Sequence, residues 1–415
     1  MTRARLLLIF LLDLALCCTP MPAQRRWIVD RGGGPGVDFQ DIPPAMAAAN
    51  DGDSVLVRFV GPYSSFVVTK AIVVEATSGA TCPTIEVRGI PRDRHARVDG
   101  FVVDGGNRLF EGHVKIADCA GAVHLARTHV LLGQSWDQGL GTVDIARCAN
   151  VLLTDVRAGT APSRTGIYKP GVSIADSRVI VQRSTLFGCH GFDSCEGVSP
   201  TQGSPALRAQ RSIVVIVDSG LRAGDGGNAY QCNHGEYCGG NGGHAVDGDD
   251  IVVLGNSSLV GGNAGRSTLV GCTPSPGASA SGRIQVTADV TTSGALTRGA
   301  RRTPSLAWIV SSGTTALGTP TTWTMRGVPG TALWLFLGEH FAITPFPPWI
   351  LPVVLTPAAV STGGLGIDAT GRVAVWFTVP AIAEWRGRTL FGQALALDPG
   401  TLALSLTNVG DLVLR

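Results

Sequence analysis

The chain has 415 residues, only 15% of them charged, and a formal net charge of +2. That length accommodates two or three domains, or one long repeat array with a cap. So small a charge excludes the strong field that gathers nucleic acid or another polyanion, and no nucleic-acid partner is expected. Glycine is abundant, at 55 residues. Without the three-residue period of collagen it points to many tight turns rather than a triple helix.

Residues 1–23 read as an export signal. Arg3 and Arg5 form a basic start, residues 6–16 are apolar except for Asp13, and Ala23 offers a small residue for cleavage before Gln24. The run is too short to span a membrane. Cys17 and Cys18 raise the question of a lipid anchor, although Leu16 is bulkier than the small residue usual before such a cysteine. No later stretch has about 18 unbroken apolar residues, so the mature chain is expected to be soluble, exported and monomeric, with no transmembrane segment. It would be secreted, periplasmic or held at the cell surface.

Eight cysteines remain after the signal: Cys82, Cys119, Cys148, Cys189, Cys195, Cys232, Cys238 and Cys272. An even count in an oxidising compartment makes disulfides the default. Cys189 with Cys195, and Cys232 with Cys238, stand close enough in sequence to close short local loops; cross-pairing between neighbouring loops is the rival. There is no CxxC pair to suggest metal or redox chemistry.

Residues 27–36 read as a strand and a glycine turn. Residues 39–50 carry Ile42, Met46 and Ala49 at helical spacing, Asp51-Gly52-Asp53 stops the helix, and residues 54–60 return to strand. The order Gly-rich turn, x-Ile-x-x-Ala-x-x-Ala-Ala, Gly-Asp-x-Val-x-Val resembles the opening of right-handed parallel β-helix proteins of the pectin-lyase-like superfamily. The resemblance covers about residues 27–290. It implies a solenoid whose open end is capped by this helix, which would hide unpaired strand edges. It says little of function, because that fold hosts lyases, hydrolases, epimerases, adhesins and inert surface proteins.

Three segments then share one spacing. Val172, Val179, Val181 and Leu186 stand at offsets of seven, two and five, as do Leu207, Val214, Ile216 and Leu221, and again Ala245, Val252, Leu254 and Leu259. Short β-branched runs at a fixed period are the mark of a solenoid. The shorter matches Val123–Val130–Leu132 and Asp144–Val151–Leu153 start 21 residues apart (123 to 144), which suggests a bare rung of 21. The longer gaps after Leu186, Leu221 and Leu259 then imply inserts at one corner, carrying the Cys- and Gly-rich stretches and forming a wall of stacked loops.

From residue 303 the composition changes. No cysteine follows Cys272, and six of the eight tryptophans fall here. Alternating short runs suggest an antiparallel β-sandwich over 303–415, after a β-helix over 24–295. The ending resembles C-terminal modules of exported bacterial proteins, planctomycete-like ones among them. Its tryptophans suit core packing or a sugar-stacking platform, with Trp349, between prolines, as the candidate for exposure.

The candidate chemistry lies on the inserts. His190, Glu196, Asp225, His244 and Asp247 are the residues that would serve an enzyme. The resemblance implies substrates that are uronic-acid chains, lying in a lateral groove and handled by carboxylates, often with Ca²⁺. Asp225, Asp247, Asp249 and Asp250 could supply oxygens to such a hard cation. The plainer reading is that these Asp and Asn residues shape turns. No paired-aspartate motif of the polygalacturonase type and no GxSxG elbow is present. The expectation is therefore an exported binding or structural protein, toward polysaccharide or another cell-envelope component. The alternative is a polysaccharide lyase or glycoside hydrolase acting on uronic-acid polymers.

Overall fold

The computed structural model describes residues 24–415 apart from 105–111, 132–141, 160–169, 194–198 and 231–236. Beyond residue 310 it also omits 311–312, 339–340, 345–352, 356–359, 380, 382–388, 399, 401–403, 408–409 and 415. The segment 1–23 expected to be an export signal, and Cys195, Glu196, Cys232, Trp349 and Trp385, lie outside the described residues.

Up to residue 303 the strands pair in parallel, and the chain passes repeatedly through three of them. One pass is Val172–Ala175, Arg178–Gln182 and Thr185–Phe187. The next is Leu207–Gln210, Ile213–Val217 and Gly220–Arg222, and each strand lies beside its counterpart. Val246–Gly248, Ile251–Leu254 and Ser258–Val260 follow in the same way. The side chains that alternate inward form one continuous core from Val29 to Val290.

The repeat length differs from the expected 21. Val123 pairs with Val151, 28 positions on, not with Asp144, which belongs to a different sheet and pairs with Lys115 and Ser173. The offset pattern recurs at different points of the circuit, which is why two unrelated stretches matched. In the third copy, Leu207 pairs with Val246 and Val214 with Ile251, one position away from Ala245 and Val252. A one-residue slip exchanges the two faces of a strand. Accordingly Ile251 and Val253 enter the inner core, whereas Val252 and Leu254 face outward and are buried by the C-terminal region.

The corners are built from residues with positive φ. Asp118, Arg147, Asp176 and Arg211 stack at one corner, all near φ +50°, followed by Asp250 and then Arg283, which is not left-handed. Such backbone is uncommon outside glycine. Here the side chains alternate in charge and pair bidentately: Arg147 with Asp118 at 2.5 and 2.9 Å, Arg211 with Asp176 at 2.6 and 2.7 Å, Arg283 with Asp250 at 2.9 and 2.6 Å. The pairing with Arg147 holds the Asp118 carboxyl below its ordinary range. After Asp118, Arg147, Asp176 and Arg211 the next residue turns inward and is a small Cys or Ser. Ser177 Oγ donates to Ala175 O (2.7 Å) and accepts the Cys148 N–H (3.0 Å), and Ser212 repeats this one pass later. Cys119 and Cys148 occupy the same column, each with its Sγ toward the carbonyl two residues back. Together with Cys82 they are buried thiols, not disulfides. For these three the even cysteine count did not report pairing; at Cys119 and Cys148 a thiol replaces a hydroxyl in a hydrogen-bonded column.

The single helix among the described residues, Ile42–Ala48, begins at an Asp41 cap with Pro43 and Pro44 in its first turn. Lys70 Nζ donates to the carbonyls of Met46, Ala47 and Ala49 at its far end. Ile42, Ala45 and Met46 are buried toward the first strands of the parallel sheets.

After residue 307 the pairing becomes mainly antiparallel. Trp308–Val310, Pro320–Arg326 and Arg372–Thr378 form one sheet. Ala332–Gly338, Val360–Gly366, Thr389–Leu397, Leu404–Leu406 and Gly410–Leu414 form another, with Gly313–Thr315 added in parallel at its edge. The two share a core around Trp323, whose ring occupies the space above Gly392. This unit docks on the outer face of the parallel sheet: Leu152, Ile180, Val215 and Leu254 meet Trp308, Phe341 and Phe391. Strands such as Ile213–Val217 are thus buried on both faces, which explains their unbroken apolar runs.

Polar groups fix the docking. Asp411 Oδ1 accepts from Gln182 Nε2 (2.7 Å) and from Arg183 (3.0 Å); Arg97 donates to Thr389 Oγ1 (3.1 Å) and pairs with Asp99. His124 is fully buried beside them, its Nε2 3.1 Å from Thr154 Oγ1. Burial, reinforced by the neighbouring Arg97 cation, pushes its pKa well below the usual value for histidine.

Candidate functional site

The inserts leave the circuit after the third strand of each pass and stack on one another. Outgoing legs run through residues 188–193, 224–229 and 261–266; returning legs run through 201–205, 240–245 and 275–279. They are neither strand nor helix. Their hydrogen bonds nevertheless follow a period of three in the outgoing leg of the second insert. The N–H groups of Gly224 and Gly227 donate to Ser204 O and Thr201 O, on a returning leg. Those of Gly226 and Ala229 donate to Asn263 O and Arg266 O, on the next outgoing leg. Those of Asp225 and Asn228 go to side chains of the previous one, His190 Nδ1 at 3.0 Å and Asp193 Oδ1 at 2.6 Å. Three residues per turn without internal hydrogen bonds is the geometry of a polyproline-II-like leg, here bundled through its neighbours.

Glycine is obligatory in such a bundle because the legs touch backbone to backbone. A Cβ on Gly224 would lie 1.8 Å from Cys189 O, on Gly227 1.9 Å from Phe192 O, and on Gly262 1.9 Å from Gly224 O. Inter-leg hydrogen bonds then run on without interruption: Gly224 to Ser204, Gly243 to Gly224, Gly262 to Gly243, Gly277 to Gly262. The spacings Gly188–Gly191, Gly224–Gly227, Gly240–Gly243 and Gly262–Gly265 show that a three-residue glycine period does exist, confined to the inserts. These glycines are packing residues rather than turn residues.

In the second and third outgoing legs glycine or alanine fills the positions between, and every third position carries a polar side chain in register with His190 and Asp193 of the first. Two columns result: His190, Asp225 and Asn263; Asp193, Asn228 and Arg266. Within each column the first two members accept the N–H of the next. Asp225 Oδ1 accepts from Asn263 at 2.7 Å, and Asn228 Oδ1 from Arg266 at 3.0 Å. Returning legs do the same: Asn241 accepts from Ser275 at 2.8 Å, and His244 Nδ1 from Ala278 at 3.0 Å. Burial moves the His244 pKa below its ordinary value.

This changes the role of the sequence candidates. His190 and Asp225 do meet, with Nδ1 3.3 Å from Oδ2. That nitrogen is already the acceptor for the Asp225 N–H, so it has no proton to share with the carboxylate, and the pair is not a general-base dyad. Asp247 faces Arg208 (3.6 Å). Asp249 accepts the Arg283 N–H at 2.9 Å, and Asp250 pairs with the Arg283 guanidinium. The four acids offered for Ca²⁺ thus serve three different partners, Asp249 and Asp250 sharing Arg283. Among the described residues no group of three or more His, Cys, Asp or Glu side chains is placed to hold a metal ion.

The disulfide expectation also needs correction. Cys238 is bonded to Cys272, on the next insert, and not to Cys232. Its neighbours follow the same cross-insert logic: Tyr237 N donates to Thr268 Oγ1 (3.0 Å) and Gly239 N to Ser267 Oγ (2.9 Å). The expected Cys189–Cys195 link involves Cys195, outside the described residues.

Beside the two columns lies an open cleft of about 600 Å³, lined by Asp225, Asn228, Tyr230, Asn263, Arg266 and Thr268 among others. Tyr230 is half exposed, and its hydroxyl reaches Asp193 Oδ2 at 3.4 Å. The cleft combines an aromatic ring, two planar amides, a carboxylate and a guanidinium beside legs tied to one another by backbone hydrogen bonds. Sequence reasoning missed Tyr230 and Arg266. The signal for Arg266 was the register: it follows Gly265 as Asn228 follows Gly227, and Tyr230 lies two positions beyond Asn228.

No family model matches the chain, and no curated protein does. A solved superoxide reductase (neelaredoxin) from Ignicoccus hospitalis is matched over 26% of this chain and 80% of its own, at 10% identity and a TM-score of 0.18. A similarity that low bears on neither fold nor activity. No helix among the described residues is long and apolar enough to cross a membrane.

Proposed function

We propose that the chain is an exported carbohydrate-binding protein built on a right-handed parallel β-helix of the pectin-lyase-like kind. The helix Ile42–Ala48 would close its first turn, and the insert wall would present the binding surface. The observation that carries this reading is the cleft: Tyr230 offers a ring for stacking, and Asp225, Asn228, Asn263 and Arg266 offer the planar hydrogen-bonding groups that sugar hydroxyls require. The rigidity of the glycine-bonded legs supports it, because a site ordered before binding loses less entropy on binding. Arg266 gives the cleft its cation, so acidic sugars, uronates among them, are the preferred class.

The reading favours binding over catalysis. Among the described residues His190, Asp193, Asp225 and His244 accept inter-leg hydrogen bonds, and a carboxylate that accepts a backbone N–H is a poor proton shuttle. A glycan array probed with the mature protein tests the proposal. Retention on acidic glycans is expected, with no unsaturated product and no new reducing ends when the same polymers are incubated with the protein and Ca²⁺. An array without hits would refute carbohydrate binding. Turnover abolished by Asp225→Ala would restore the lyase or hydrolase alternative.

A further inference from the structure

We propose a second carbohydrate platform on the C-terminal unit, centred on Trp376, which stacks the C–H face of a neutral pyranose. Trp376 is 74% exposed although it lies in the middle of a regular strand, Arg372–Thr378. The strand's period explains why the ring cannot turn inward. Val373, Val375 and Phe377 take the inner face and pack on the core around Trp323, so Trp376 is fixed on the outer one. The position of the indole is therefore set by backbone pairing rather than by a mobile loop.

Its surroundings suit a sugar. Residues directly opposite on paired strands share a face, and Thr322 lies opposite Trp376, Thr324 opposite Ala374 and Pro320 opposite Thr378. The ring thus has hydroxyl groups on one side and, at Ala374, a small side chain that leaves space for a ligand to lie against it. An aromatic face takes up the C–H surface of a pyranose, while rim hydroxyls exchange hydrogen bonds with its O–H groups.

Other occupants fit less well. The same face is already used at its far end, where Trp308 is buried against the parallel sheet and the Arg326 guanidinium lies over its ring at 5.5 Å. What remains open is one ring among threonines and an alanine. A second protein copy needs roughly 800 Å² of matched surface from each partner. A two-fold contact here would also bring Arg372, which faces Arg326, toward its own copy.

The site shares the carbohydrate reading with the insert cleft but none of its residues, so the two can fail separately. The test uses the full mature chain and suspended cellulose, chitin, mannan and xylan, measuring protein lost from solution. At least one polymer should retain the protein. Trp376→Ala should weaken retention tenfold or more, Trp376→Tyr should recover part of it, and Tyr230→Ala should leave it unchanged, all with unaltered melting temperatures. The inference fails if no neutral polymer retains the protein, if Trp376→Ala binds like the parent, or if Tyr230→Ala abolishes retention. It also fails if Trp376→Ala converts a dimer to a monomer in sedimentation velocity without changing retention.

Discussion

Gly227 shows how little freedom the insert wall allows a single residue. Its N–H bonds to Thr201 O, its carbonyl accepts from Gly240, and a methyl group would lie 1.9 Å from Phe192 O. Gly227→Ala should therefore destabilise the protein by about 2–3 kcal/mol, because backbone rather than a yielding side chain must move. Gly366, where an added methyl would meet nothing within 4 Å and φ is not left-handed, should accept alanine without loss. Thermal melts of the two variants make the comparison. This residue-scale logic was half legible in the sequence. Asp225, Asn228 and Asn241 were recognisable as backbone partners, since Asp and Asn readily accept N–H groups. The sequence suggests local turns for them, whereas the bonds run between legs 34 to 38 residues apart. The glycine period escapes notice for a simple reason: it spans only six residues in each leg and is lost in any search for a chain-long repeat. Cys119 and Cys148 mislead in the opposite way, since nothing in composition distinguishes a buried thiol standing in for serine from half of a disulfide.

At the scale of the element, the circuit is held by side-chain columns and the inserts by a cross-link. The Cys238–Cys272 bond joins two inserts over a sequence separation of 34. Closing a loop of that size restricts the unfolded chain by about 4 kcal/mol in the chain-entropy account. Cys272→Ser should therefore lower stability by roughly 2–4 kcal/mol, and the cleft-lining stretch through Thr268 should exchange its amides faster. Peptide mapping without reductant should recover the Cys238–Cys272 peptide; a Cys232–Cys238 peptide in its place would contradict the stacking described here. The apolar spacing shared by the copies at Val172 and Leu207 located inward-facing positions correctly, whereas the copy at Ala245 ran one position off and put Val252 and Leu254, which face outward, in the core. The repeat length went wrong because the same spacing occurs at two points of the circuit. Strand order can then be recovered only from pairing, which is a long-range property that local pattern does not contain.

For the molecule as a whole, the decisive contact is between the parallel sheet and the C-terminal unit. Asp411 is buried against Gln182 and Arg183, and its removal leaves both donors without it. Asp411→Ala should cost roughly 2 kcal/mol, visible as a loss of cooperativity between the two regions in calorimetry. His124 adds a pH dependence. Its folded-state pKa lies well below the ordinary value of 6.5, so the unfolded chain takes up a proton first as pH falls. Stability should therefore decline as pH drops below about 6.5, and His124→Gln, which keeps a hydrogen-bonding group without the titration, should flatten that slope in melts across the same range. The docking itself had one sequence signal, the unbroken apolar runs such as 213–217, which need cover on both faces. What they would meet was not readable, because Trp308, Phe341 and Phe391 approach from three different sheets of the C-terminal unit, far away in sequence.

The claim on which this account most depends is that the glycine-bonded legs exist to hold Tyr230 and Arg266 in place for an acidic glycan. Calorimetric titration of such a glycan, chosen from the array, into the parent and into Tyr230→Ala/Arg266→Ala tests it directly. The account predicts a loss of affinity of about 100-fold, near 3 kcal/mol, at unchanged melting temperature. Equal affinity in the two proteins would show that the wall is scaffold alone.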